Sequence, residues 1–131
     1  MRFGTYPLGH MGLRVSDLAQ AKRFYVDTLG FLLVRESPAA VIIDAHGLPI
    51  ALLGPGEQTD TVDRFDPFRI GLDHLALTIA DAGELEGLRE QLDAAGVPNH
   101  GIERDPATGA SYISFYDPDG IAWELYAMPP R

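Results

Sequence analysis

No cysteine occurs anywhere in the 131 residues. Disulfides, thiol nucleophiles, zinc ribbons and iron–sulfur clusters are therefore excluded together. Positive charge is scarce as well: 10 Lys and Arg stand against 19 Asp and Glu, for a formal net charge of −9. Nucleic acid and anionic membrane both call for a basic face, so neither is expected as a partner. No apolar run approaches membrane-spanning length, and Met-Arg-Phe-Gly-Thr-Tyr-Pro-Leu-Gly-His at the start lacks the apolar core of a secretion signal. A soluble, cytoplasmic protein is expected. What remains is ordinary globular composition, 46% hydrophobic and 22% charged, at a length suited to a single domain, 1–131.

The informative feature is an internal repeat. His10-Met-Gly-Leu13-Arg-Val15-Ser-Asp17 returns as His74-Leu-Ala-Leu77-Thr-Ile79-Ala-Asp81, with every matched pair 64 residues apart. Each copy runs into apolar residues at helical spacing: Leu18, Ala21, Phe24 and Tyr25 in the first, Leu85, Leu88 and Leu92 in the second. Gly30 and Gly96 then suit the left-handed position that closes a helix. The back halves match at a spacing of 73, where Asp44-Ala-His-Gly47 and Ala51-Leu52 align with Asp117-Pro-Asp-Gly120 and Glu124-Leu125. Each back half reads as a turn between β-prone runs. The fold class is α+β, each module running strand, helix, then two or three strands. Module one covers about 6–54, a polar linker 55–70, and module two about 71–128. Two matched halves imply a pseudo-two-fold arrangement, because each module alone leaves one sheet face bare.

Strand alternation sorts the side chains by face. Leu13 and Val15 point to one side, and His10, Gly12 and Arg14 to the other. Leu75, Leu77 and Ile79 likewise oppose His74, Ala76 and Thr78. On the last strand Glu124 and Tyr126 share a face, with Trp123 and Leu125 behind. The apolar side belongs under the helices, so Leu13, Val15, Phe24, Leu77, Ile79, Leu88 and Leu92 are expected to be buried. The other side is expected to be concave and to bring His10, His74 and Glu124 to one cleft. Two neutral imidazoles and a carboxylate suit a divalent metal with coordination positions left open, the catalytic type of site. Taken singly, each of the three has a blander reading as a surface or turn residue.

With these residues in view the chain resembles the vicinal oxygen chelate superfamily, which includes glyoxalase I, extradiol dioxygenases, fosfomycin-resistance enzymes and bleomycin-resistance proteins. The resemblance runs from His10 to Tyr126. It rests on His10-x-x-Leu-Arg-Val-x-Asp-Leu with Phe24-Tyr25 and Leu29-Gly30-Phe31, on Leu72-Asp73-His74-Leu-Ala, and on Tyr116-Asp117-Pro-Asp-Gly120-x-x-x-Glu124-Leu125. It implies paired βαβββ modules forming a cupped mixed sheet with helices on its outer face, usually within a homodimer. It also implies a divalent metal (Fe, Mn, Zn, Ni or Co) held by His10, His74 and Glu124. Ala51 departs from the pattern, standing where glyoxalase I holds a glutamate that both binds metal and moves a proton. Arg14 looks like the arginine that glyoxalases place on the glutathione carboxylate.

The same resemblance leaves two function classes. One is a metalloenzyme gripping two neighbouring oxygens of a small substrate, more like a dioxygenase or a lyase/transferase than glyoxalase I. The other is a metal-free binder of a drug or toxin, of the bleomycin-resistance type. Arg14, Thr78, Ser114 and Tyr126 are candidate substrate-binding residues. Tyr112, Tyr116 and His100 are candidate catalytic residues, although His100 reads as part of a solvated Pro-Asn-His-Gly loop. His46 reads as an exposed turn residue, and the acidic linker as a solvated segment from which Glu57 could fold back toward the metal.

Overall fold

A computed structural model describes residues 1–130. The chain divides into two compact units, Met1–Asp63 and the remainder from Arg64 onward. Both follow one plan. The first unit runs β1 (Met11–Arg14), α1 (Leu18–Lys22), β2 (Leu32–Glu36), β3 (Ala40–Ala45) and β4 (Leu48–Leu53). The second runs β5 (Leu75–Thr78), α2 (Leu85–Ala94), β6 (Asn99–Arg104), β7 (Ser111–Tyr116) and β8 (Ala122–Ala127). Each unit forms a four-stranded mixed sheet, ordered β1-β4-β3-β2 in the first and β5-β8-β7-β6 in the second. The first and last strands of each βαβββ module lie side by side and parallel, and the remaining pairs are antiparallel.

The repeat accounts for the local structure. Asp17 Oδ1 accepts from the Gln20 N–H at 3.0 Å and caps α1. Sixty-four residues on, Asp81 Oδ1 accepts from the Gly83 N–H at 2.8 Å and opens the turn leading into α2. Gly30 and Gly96 both sit at positive φ, +78° and +69°. Around Gly96 the Val97 N–H reaches Leu92 C=O at 2.9 Å, the closure expected of a glycine-ended helix. The first helix closes one residue wider. Arg23–Thr28 forms a π-helical turn, and the Phe31 N–H donates to Tyr25 C=O at 3.0 Å.

The change in spacing from 64 to 73 also has a structural origin. Gly12 pairs with Ala51 in the first sheet, and Ala76 pairs with Glu124 in the second. Ala51 is thus the structural equivalent of Glu124. The β3–β4 hairpin turns on two residues, His46 and Gly47, whereas β7–β8 turns through Pro118-Asp119-Gly120 between Asp117 and Ile121. That single extra residue takes the matching from a spacing of 72 before the turn to 73 after it, and the longer β6–β7 connection supplies most of the rest.

One face of each sheet is packed under its helix. Leu13, Val15, Phe24, Ile43, Ile50 and Leu52 are buried in the first unit; Leu85, Leu92, Ile113, Phe115 and Trp123 are buried in the second. Phe115 and Trp123 stack with centroids 6.3 Å apart on neighbouring strands. Leu77, Ile79 and Leu88 depart from the expected full burial and are only half-buried. For Leu77 and Ile79 the cause lies in helix placement: α2 packs over β6 and β7, away from β5, whereas α1 packs on β4 and β3, and Leu13 on the equivalent edge strand β1 is buried. The face assignment itself holds, since Leu75, Leu77 and Ile79 are half-buried while Ala76 and Thr78 between them are exposed.

Candidate metal centre

The second unit collects polar side chains on the sheet face turned away from α2. Glu124 on β8 pairs directly with Ser114 on β7 and with Ala76 on β5. Alternation adds Tyr112 and Tyr116 from β7, Tyr126 from β8 and Thr78 from β5 to that face. His74 lies one residue before β5, and its Nε2 is 3.5 Å from Glu124 Oε2. Its other ring nitrogen, Nδ1, is 2.7 Å from Asp73 Oδ1.

That short contact fixes the chemistry of the pair. A carboxylate oxygen only accepts, so Nδ1 carries a proton toward Asp73; in the neutral imidazole Nε2 then presents a lone pair to Glu124, and in the imidazolium Nε2 donates to it. In the neutral form two acceptors face each other across 3.5 Å, and a shared cation would satisfy both. Two donor atoms each about 2.1 Å from one ion stand roughly 3.0–3.4 Å apart at ordinary coordination angles, so the gap suits a divalent metal. The electrostatics agree. Burial pushes the Glu124 carboxyl above its usual range; His74 opposes the shift, and Asp73, Asp105 and Glu103 reinforce it. A half-desolvated carboxylate among further carboxylates is a place of negative potential that a bound cation relieves.

His10 belongs to the first unit, immediately before β1, and is exposed. No group of three His, Asp or Glu side chains able to hold a metal occurs among the described residues. Arg14, expected to need a carboxylate or a substrate anion, donates to the Gly54 carbonyl at 2.7 Å. His46 is exposed, as expected, and meets Phe31 edge to face at 5.5 Å.

His100 is not in a loop. It lies on β6, exposed, with Nε2 2.8 Å from the Tyr116 hydroxyl. Gly101 at φ +69° absorbs the bulge that lets the strand run through Pro98-Asn99-His100-Gly101. Tyr112 stacks on Tyr126 at 5.9 Å, and the Tyr126 hydroxyl donates to Asp105 Oδ2 at 2.9 Å beside Thr108. Burial raises the hydroxyl pKa of Tyr112 and Tyr116, with Glu103 and Glu124 adding to the effect. Asp73 and Glu103 are the contributors that sequence reasoning passed over; the only signal for Asp73 was its place beside His74.

A family model described as the Glyoxalase/Bleomycin resistance protein/Dioxygenase superfamily matches residues 8–125. The chain belongs to that superfamily. Among superfamily relatives it is 30% identical to the uncharacterized protein YwkD of Bacillus subtilis (strain 168), over 89% of this chain and 93% of that one. It is 31% identical to biphenyl-2,3-diol 1,2-dioxygenase 3 of Rhodococcus globerulus, over 92% of this chain but only 63% of the longer enzyme. The crystal structure of a glyoxalase family protein from Enterococcus faecalis superposes with a TM-score of 0.78 at 25% identity, covering 92% of this chain and 96% of that one. The fosfomycin resistance protein FosX of Listeria monocytogenes shares the fold, with a TM-score of 0.76 at 21% identity over 96% of both chains.

Proposed function

We propose that this superfamily member is a metal-dependent enzyme that holds a small molecule through two neighbouring oxygens, with His10, His74 and Glu124 as the metal ligands. One observation carries the reading: His74 Nε2 and Glu124 Oε2 lie 3.5 Å apart, a spacing that suits two ligands of one ion, while Asp73 holds the other ring nitrogen at 2.7 Å. The candidate ions are Fe, Mn, Zn, Ni and Co. Once bound, such an ion supplies Lewis acidity toward substrate oxygens. The residues around it do the positioning. Asp73 keeps the His74 ring oriented and its tautomer fixed. Thr78, Ser114 and Tyr126 offer hydroxyls on the same face as Glu124, and Arg14 is a further candidate for substrate binding.

The reaction is of dioxygenase or lyase/transferase type and not glyoxalase I, because Ala51 provides neither a ligand nor a base where Glu124 has its structural equivalent. The resemblance to biphenyl-2,3-diol 1,2-dioxygenase 3 and to a catechol-2,3-dioxygenase of Bacillus subtilis (strain 168) supports a substrate with adjacent ring hydroxyls. A cytoplasmic homodimer is part of the same proposal, and light scattering checks the assembly. Protein purified without chelator, assayed for metal and then screened with catechols and thiol adducts, tests the function. Metal-dependent turnover that His74→Ala abolishes supports it; tight binding of a drug-like compound with no metal and no turnover favours the sequestering alternative.

A further inference from the structure

Two residues along β7 from Ser114, the partner of Glu124, the Tyr116 hydroxyl lies 2.8 Å from His100 Nε2, with the two rings edge to face at 5.5 Å. A phenol has one proton and can donate it in one direction only. If His100 is neutral with a bare Nε2, the Tyr116 proton goes to the imidazole, and the hydroxyl offers only lone pairs to the sheet face. If His100 is protonated, it donates to the hydroxyl oxygen, and the Tyr116 proton turns toward whatever oxygen lies on that face. Burial, with Glu103 and Glu124 nearby, keeps Tyr116 in its phenol form, so that proton is always there to be directed.

We propose that His100 sets the hydrogen-bond direction of Tyr116 and thereby makes Tyr116 a specificity-determining residue. Tyr116 accepts from a ligand hydroxyl while His100 is neutral and donates to a phenolate-type oxyanion once His100 is protonated. This deepens the proposed function, since it rests on small-molecule oxygens binding at that face. The balance is simple: an anion that binds through Tyr116 is accompanied by one proton from solvent, taken up at His100, which is exposed. Within the second unit the ionisable groups around the pair are Glu103 on β6, Tyr112 on β7 and Glu124 on β8, with His74 and Asp73 beyond Glu124. From α2, Asp93 accepts from Asn99 and is paired with Arg89.

The probe is 4-nitrocatechol, whose colour reports its own ionisation, titrated into metal-loaded protein across the pH range in which imidazole deprotonates. Affinity for the anionic form is expected to weaken about tenfold per pH unit above that range, the linkage for one proton taken up per ligand. In His100→Gln and Tyr116→Phe the slope is expected to flatten while binding persists, a change that a merely structural role would not produce. Unchanged slopes in both variants overturn the proposal. Failure of the wild type to bind the probe counts against the catechol-type substrate instead. The pair is then decided without ligand, by imidazole nitrogen NMR of the wild type and Tyr116→Phe. A neutral His100 with Nε2 bare and hydrogen-bonded to Tyr116 is required; a neutral His100 protonated at Nε2 overturns it.

Discussion

At the scale of single residues, the candidate ligand positions come from the repeat, which places His10 and His74 at one spacing and Ala51 and Glu124 at another. Asp73 was hidden by the same logic. Strand alternation assigns it to the face opposite His74, and the contact forms only because both residues precede the regular pleat of β5. Asp73→Asn is expected to lower metal affinity about 10- to 100-fold without changing the circular dichroism, as other partners of ligating imidazoles do. Competition against a chelating dye measures it. Glu124 gives a prediction of the opposite kind. Its carboxyl is held above its usual range in the folded chain, so folding binds extra protons, and stability is lost as pH rises through the raised value. Metal-free Glu124→Gln is therefore expected to resist urea better than the wild type at neutral pH. The gap should close as the pH falls to the ordinary carboxylate range. Ala51→Glu restores a carboxylate at the equivalent position in the first module. It is expected to confer turnover of the methylglyoxal–glutathione adduct, with none expected of the wild type; strong activity in the wild type would contradict this reading of Ala51.

At the scale of elements, the helices and hairpins were readable from spacing, caps and turn residues. Their packing was not, because how far a helix covers a sheet depends on strand order. The half-burial of Leu77 and Ile79 follows from α2 lying over β6 and β7 and not beside β5, which no local pattern reveals. His100 was misplaced for a related reason: Pro-Asn-His-Gly has turn composition, yet a bulge at Gly101 keeps the chain pairing with β7. The turn that aims Glu124 is held by Asp117, which is buried and accepts from the N–H groups of Asp119 at 2.9 Å and Ile121 at 2.7 Å. Asp117→Ala strands both donors and is expected to cost about 1–3 kcal/mol in urea denaturation. Part of any lost metal binding should return when the variant is stabilised with an osmolyte, since the substitution leaves His74 and Glu124 themselves intact.

At the scale of the whole molecule, the two units are versions of one plan that differ in what they present. Positions facing the helices match in kind: Val41 with Ile113, Ile43 with Phe115, Ile50 with Trp123 and Leu52 with Leu125 are all buried. Positions on the other face do not match. Ala40, Ile42 and Ala51 in the first unit correspond to Tyr112, Ser114 and Glu124 in the second. Core positions answer to burial, so a repeat preserves their character. The other face answers to chemistry, so the repeat points to a candidate site without specifying the reaction. The most direct measurement is the divalent metal bound per chain, determined for the wild type, His74→Ala and Glu124→Ala after exposure to Fe, Mn, Zn, Ni and Co and removal of excess ion. One ion per wild-type chain and none in either variant, with all three proteins folded, is the predicted result. A folded wild type that retains none of these metals, or variants that bind as the wild type does, would contradict it.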